Sequence, residues 1–227
     1  MKVLVFDTET TGLPQTKIIN PDTLHLWPYI VQFSYIIYDT TDNIIIETND
    51  YIILLENIII PEESIKFHGI TNEISSKLGT NIRDVLIKFC KDLKNVDKIV
   101  GHNINFDINM VKVELLRIIY GNILINEPSN IYKNDLFYIT NLKNICCTLQ
   151  DSIKFCNIQA ISKYGKSYLK YPKLIELHQK LFNTTPNNLH NSLNDILVTL
   201  RCFMKLKFNI DLIDNCETFK NLTNLIF

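Results

Sequence analysis

Lys2-Val3-Leu4-Val5-Phe6-Asp7-Thr8-Glu9 is the stretch on which the reading of this chain turns. Lys2 to Phe6 is a short β-branched and apolar run, the pattern of a buried central strand, and Thr10-Thr11-Gly12-Leu13-Pro14 ends it with turn chemistry. Two more strand-like runs, Ile30 to Asp39 and Ile44 to Leu55, flank Thr40-Thr41-Asp42-Asn43 and read as a hairpin, so the first three strands are expected to be sequential and antiparallel. The period then changes. Pro61 to Ser64 opens a short helix and Thr71-Asn72-Glu73-Ile74 another, with Thr71 or Asn72 as cap. Apolar residues at 82, 85, 86, 89, 90 and 93 make a helical stripe. Lys98 to Gly101 reads as a strand, Asn105 to Tyr120 as a helix and Ile145 to Thr148 as a last strand, and Lys173 to Phe182 and Ser192 to Leu206 as closing helices. The stretches 121–144 and 157–172 carry little regularity and are expected to be loops. Three antiparallel strands followed by strands alternating with helices predict an α/β fold whose mixed sheet is covered on both faces.

The 227 residues allow one large domain, or a domain with an extension. Lys plus Arg is 23 and Asp plus Glu is 24, a net charge of −1, and hydrophobic residues make up 46%, which together exclude a disordered polyelectrolyte. No overall basic charge advertises nucleic-acid binding, so any such partner must be attracted by a local patch or by bound cations. The six cysteines form no Cys-x-x-Cys pair and no zinc spacing, and read as reduced, mostly buried thiols. The N-terminal apolar run meets Asp7 too soon to be a signal peptide, and the Ile-rich stretch from Ile44 to Ile60 is broken by Glu47, Asp50 and Glu56. These features predict a soluble intracellular protein, in cytoplasm or nucleus, with no membrane partner.

Three acidic signals carry the chemistry. Side chains alternate along a strand, so Asp7 and Glu9 share a face. Two carboxylates at the end of a buried strand repel each other and lose hydration, and a divalent cation relieves both costs. In Val100-Gly101-His102-Asn103-Ile104-Asn105-Phe106-Asp107 a second buried strand ends and Asp107 falls in the first turn of the helix that follows. His190 lies just before the last helix and Asp195 within its second turn, five residues on. Each signal alone has a plain reading: solvated acids, a helix-start residue, a surface histidine. Together, four acids from three elements and one histidine are the inventory for two divalent metals and a base.

At these residues the chain resembles the DEDDh family of 3′–5′ exonucleases, which includes the proofreading subunit of the bacterial replicative polymerase, the three-prime repair exonucleases, RNase T and oligoribonuclease. Phe6-Asp7-Thr8-Glu9-Thr10-Thr11-Gly12-Leu13 is similar to the family's first motif, Gly101 to Asp107 to its second, and His190 to Asp195 to its third, H-x4-D. His68-Gly69-Ile70-Thr71 matches a segment common between the first two. The order holds from about residue 2 to residue 207. The resemblance implies an RNase H-like fold with a mixed five-stranded sheet, with residues 1–207 as the exonuclease domain and 208–227 as a C-terminal extension packed on it. It implies that Asp7, Glu9, Asp107 and Asp195 hold two Mg²⁺ or Mn²⁺ ions and that His190 is the general base. It also implies that Thr8, Thr10 and Leu13 line the pocket for the terminal nucleotide, while His68, Asn103 and Phe106 contact the last sugars or bases. Asn191 and Ser192 depart from the Asp and Ala common after the histidine, at positions that are not metal ligands in the family.

The activity expected is hydrolysis of DNA from single-stranded, frayed or mismatched 3′ ends, as in repair and proofreading. The same chemistry on RNA is the alternative, and a catalytically silent nucleic-acid or polymerase-binding module is the reading from another class. Loss of a catalytic residue would favour that module, and all five are present. A polymerase partner and the oligomeric state are left open. Three further features have two readings each. Phe106 adjoins an apolar helix face and suits core packing as well as base stacking. Lys163, Lys166, Lys170 and Lys173 interleave with Tyr164, Tyr168 and Tyr171, which suits a single strand or an ordinary solvated loop. Trp27 flanks a substrate groove or, the reading preferred, plugs the sheet edge.

Overall fold

The computed structural model describes residues 1–124 and 128–226. Its elements run in chain order β1 (Lys2–Thr10), a 3-10 turn (Pro21–Leu26), β2 (Ile30–Asp39), β3 (Ile44–Ile52), α1 (Glu62–His68), α2 (Asn72–Leu78) and α3 (Ile82–Leu93). They continue with β4 (Lys98–Gly101), α4 (Ile104–Leu124), α5 (Asn130–Thr140), β5 (Ile145–Cys147), α6 (Thr148–Asp151), α7 (Ile153–Cys156), β6 (Gln159–Ile161) and β7 (Ser167–Leu169). The chain closes with α8 (Leu174–Phe182), α9 (Ser192–Phe208), α10 (Leu212–Asn215) and α11 (Glu217–Leu222).

The main sheet has five strands in the order β3-β2-β1-β4-β5. The first three pair antiparallel, whereas β4 pairs parallel with β1 and with β5. This is the mixed sheet expected, with β1 at its centre. Alternation along β1 divides the core. Leu4 and Phe6 join Phe33, Tyr35 and Phe89 under α3 and α4, while Val3 and Val5 join Ile36, Ile196 and Leu200 under α9. The aromatic group Phe6, Phe33, Tyr35 and Phe89 packs with centroids 4.8 to 6.3 Å apart, mostly tilted or edge-on. Leu212, Cys216, Phe219 and Ile226 are buried in the same cluster as Val3 and Ile196.

Two stretches expected to be loops are ordered. Within 121–144, α4 runs on to Leu124 and α5 forms, while 125–127 lie outside the described residues. Helix α5 is rich in Ile, Tyr and Asn, weak helix formers, and its order comes from burial of Tyr132, Asp135 and Ile139 rather than from propensity. Within 157–172, β6 and β7 pair as an antiparallel hairpin closed by Gly165 at φ +76°. Trp27 is buried, with Nε1 donating to the Ile18 carbonyl at 2.9 Å, which is the plugging role. Arg117 ties the same loop down. Its guanidinium donates to the carbonyls of Leu24, Trp27 and Pro28 and pairs with buried Glu114 at 2.6 Å. All six cysteines are buried and unpaired. Among the described residues no helix is long and apolar enough to cross a membrane.

Candidate active site

The parallel register of β1 with β4 sends the C-terminal ends of both strands to one edge of the sheet. Asp7 and Glu9 continue the Val3–Val5 parity and so face the α9 side; Thr8 faces the α4 side. Helix α4 starts three residues after β4 ends and carries Asp107, fully buried, in its first turn. Helix α9 supplies Asp195 in its first turn, one turn earlier than the spacing suggested. The N-terminus of α9 is pinned from below. The Ser192 amide donates to Gln32 Oε1, its hydroxyl meets the Ser34 hydroxyl, and Ser34 and Gln32 both donate to Asp50. Ser192, Ser34 and Gln32 are buried, so the Ser192 hydroxyl completes a buried polar chain that locates the helix bearing Asp195.

His190 sits at φ +68°, a left-handed conformation uncommon outside glycine. The bend turns its amide back to donate to Asp195 Oδ2 at 3.3 Å. A separation of five residues therefore brings the two groups together without a shared helical stripe. Glu9, His190 and Asp195 each offer a ligand atom, all within 4.8 Å of one another. Asp7 and Asp107 complete the group, and among the described residues no lysine or arginine is ion-paired with any of the four acids. Burial, then the charges of Asp195 and Asp107, push Glu9 up to about 8. Burial, then Asp107, Asp195 and Glu9, raise Asp7 well above the carboxylate range. Burial also raises Asp107, opposed by hydrogen bonds from Thr8, and raises Asp195, opposed by the His190 amide. Four carboxyl groups whose ionisation is resisted by burial, and in Asp7, Glu9 and Asp107 also by neighbouring charge, are a set that a divalent cation would discharge. Asp195 Oδ1 is moreover buried with no hydrogen-bond partner among the described residues, which is how an oxygen intended for a cation looks without one.

Beside the acids lies a cleft of about 550 Å³ lined by Glu9, Thr10, Leu13, Phe67, His68 and His190, among others. Thr10 turns its hydroxyl onto the Gly12 carbonyl at 2.7 Å and so shapes the wall, and Leu13 projects into solvent, 83% exposed. His68 Nδ1 accepts from the Ile70 amide at 3.0 Å, and burial lowers its pKa, offset in part by the Thr10 backbone. Thr8, Asn103 and Phe106, also expected at the substrate, do not line this cleft. Thr8 is buried and bonded to Asp107 rather than lining the cleft. Asn103 is exposed at φ +70°, and Phe106 packs partly buried on the core. Phe67, not singled out in the sequence, is 68% exposed in the cleft and meets the His190 ring edge-on, centroids 5.8 Å apart. The signal for it was slight: it precedes His68 on a short helix whose partly buried residue Ile65 packs inward.

A family model described as an exonuclease matches residues 4–203. The chain belongs to the exonuclease family. The likeness of this chain to solved proteins is one of fold. Escherichia coli Exonuclease I in complex with a dT13 oligonucleotide superposes with a TM-score of 0.56 at 18% identity, covering 90% of this chain and 41% of that one. A moderately thermophilic Exonuclease I from Methylocaldum szegediense superposes with a TM-score of 0.56 at 16% identity, covering 94% of this chain and 42% of that one. The chain thus spans about two-fifths of the length of these structures. No curated protein matches the chain.

Proposed function

We propose that the protein is a divalent-metal-dependent 3′–5′ exonuclease that shortens DNA from single-stranded or frayed 3′ ends and releases 5′-mononucleotides. The observation that carries this is the convergence of Glu9, His190 and Asp195 within 4.8 Å, with Asp7 and Asp107 beside them, next to a cleft of about 550 Å³ that Glu9 and His190 help to line. Asp7, Glu9, Asp107 and Asp195 would hold two Mg²⁺ or Mn²⁺ ions. Such ions, when bound, offset the negative charge that builds on the phosphate oxygens and on the leaving oxygen.

The chain's own residues do the rest. Leu13 and Phe67 offer apolar surface to the terminal base, and Thr10 with the backbone of the 9–13 turn frames the terminal 3′-hydroxyl. His190, exposed and held through its amide and the Phe67 ring, takes a proton from water at a ring nitrogen. The water oxygen bonds to phosphorus, the bond from phosphorus to the upstream 3′-oxygen breaks, and that oxygen leaves as a hydroxyl once protonated. The phosphate stays on the released nucleotide, at its 5′ position.

DNA is preferred over RNA here because the Exonuclease I of Escherichia coli, which shares the fold, was solved with a DNA oligonucleotide. RNA would pass through the same chemistry, and the pocket's treatment of the 2′-hydroxyl decides between them. One gel tests the reading: 5′-labelled single-stranded DNA, matched and mismatched duplex DNA, and RNA, each with Mg²⁺, Mn²⁺ or chelator. A ladder shortening from the 3′ end of DNA, abolished by chelator, is expected. Digestion undiminished by chelation, release from the 5′ end, or nicking of closed circles would overturn it.

A further inference from the structure

The β6–β7 hairpin buries almost nothing. Tyr164, Tyr168 and Tyr171 are 78%, 49% and 61% exposed, and Ile161 is 76% exposed. A two-stranded hairpin with no core of its own is marginal in water, so its order must come from anchorage. The ladder is extended past the strands by Lys170 N–H donating to the Ile158 carbonyl and by Ser162 N–H donating to the Lys166 carbonyl. Lys170 Nζ pairs with Glu176 at 2.6 Å. The base of the hairpin is tied to the catalytic edge by His102, whose Nε2 meets the Pro172 carbonyl at 3.0 Å and whose Nδ1 meets the Thr148 hydroxyl at 3.0 Å. His102 stands between the last residue of β4 and Asn103, five residues before Asp107. Burial holds its pKa down to about 4, so the neutral ring keeps Nε2–H for Pro172 near neutral pH.

Position gives the hairpin a task. The cleft for the terminal nucleotide opens on the side of α1, which packs with Val31 and Ile52 beyond β1. The hairpin is tied to the opposite side, at the end of β4. The acidic group lies between them, so a strand that continues straight from the cleft past the acids runs toward the hairpin. The cross-strand pairing of Ala160 with Tyr168, and the alternation it sets, place Lys166, Tyr168 and Lys170 on one face. Lys163 and Lys166 are exposed and, among the described residues, have no acidic partner; Lys163 Nζ lies 5.0 Å from the Tyr164 ring. Ammonium groups alternating with exposed rings meet phosphates and bases in turn, whatever the base sequence.

We propose that the β6–β7 hairpin is a single-strand track that holds the nucleotides upstream of the scissile bond. This rests on the exonuclease reading of the neighbouring site. It adds to that reading a binding surface distinct from the terminal-nucleotide cleft, one built to favour a free single strand over a paired one because the rings need unstacked bases.

The test compares the wild type with Lys166→Ser/Tyr168→Ser and with Tyr168→Phe. Equilibrium binding of a fluorescent single strand longer than ~16 nucleotides, the upper site size of one such binding fold, is measured in chelator, where no cleavage can occur. The double variant is expected to bind about tenfold more weakly and with a shallower salt dependence, and Tyr168→Phe to bind like the wild type. With Mg²⁺, the double variant should show the same loss as a raised KM on the long strand and an unchanged rate on a trinucleotide, which is too short to reach the hairpin. Unchanged binding of the long strand, or an equal loss on both lengths, would overturn the track. A wild type that binds through the hairpin but cleaves neither substrate would instead count against the exonuclease reading and leave the track standing.

Discussion

The amide and the hydroxyl of Thr8 both donate to one oxygen of Asp107, at 3.0 and 2.8 Å, across 99 residues of sequence. The two bonds couple the end of the central strand to the first turn of α4 and leave the other carboxylate oxygen of Asp107 available. They also oppose the burial that would otherwise keep Asp107 protonated. Thr8→Val keeps the shape and the amide bond but removes the hydroxyl donor. Removing a partner that orients a metal ligand typically costs about 10–100-fold in metal affinity or activity. That loss is expected here, with the fold retained, and a Mg²⁺ titration followed by thermal shift reads it. An unchanged titration would mean that the amide alone suffices.

The acidic group predicts how stability depends on pH and metal. Glu9 rises from its ordinary 4.5 to about 8 in the folded protein, and Asp7 rises as well. An acid whose folded pKa is raised holds its proton more tightly when folded. Its contribution to stability is full below the unfolded value and is lost as pH climbs through the folded one. The metal-free protein should therefore lose thermal stability between about pH 4.5 and 8, and Mg²⁺ should restore it, by more at the upper end. Asp7→Asn removes one of the repelling charges. It should raise the melting temperature of the metal-free protein near pH 8 by at least about 2–4 °C, roughly 1 kcal/mol for a chain of this size, while abolishing cleavage. A melting curve insensitive to both pH and Mg²⁺ would show that the four acids do not act as one group.

Phe67 offers a large exposed ring to the cleft and an edge contact to His190. If the ring is a platform for the terminal base, Phe67→Ala should raise KM about tenfold, since stacking is worth about 1–3 kcal/mol per base, and Phe67→Trp should keep the wild-type value. Steady-state kinetics on a short oligonucleotide separate this from an effect on His190, which would lower kcat and leave KM alone. No change in either parameter would remove Phe67 from the site.

How far the sequence could be read follows from where its signals lie. The central strand, the β2–β3 hairpin, the α3 stripe and the three acidic motifs were legible because each carries its own period or its own chemistry. Helix α5 was not, because Tyr132 and Ile139 make a helical face only against α4, and its N-cap Ser129 makes no side-chain capping bond. The β6–β7 hairpin was not, because no face of it is buried and so no alternation is written into it; Gly165 between Ile161 and Ser167 was the available clue. At the site, reading the three motifs together brought the acids and His190 into one inventory. It could not foresee that Thr8 would be bonded to Asp107, or that Ser192 would complete a chain to Asp50. Both depend on contacts between residues more than 90 apart in sequence.

The final prediction separates His190 from the acids. A positioned base contributes about 10²–10⁴-fold, whereas the carboxylates that would hold the ions support the charge stabilisation on which the whole reaction depends. His190→Ala should therefore lose most of its rate yet keep measurable activity, and its Mg²⁺-dependent thermal shift should stay near the wild-type value. Its backbone bond to Asp195 comes from the amide and survives the substitution, although the left-handed φ of +68° suits alanine less well, so the variant's folding is checked by its melting temperature. Hydroxide replaces the missing base as pH rises, so the fold-loss should shrink steadily toward alkaline pH. A pH–rate series of wild type and variant at saturating Mg²⁺ measures this. Parallel profiles, with the same fold-loss at every pH, would mean that His190 orients the substrate against Phe67 and that the proton leaves by another route.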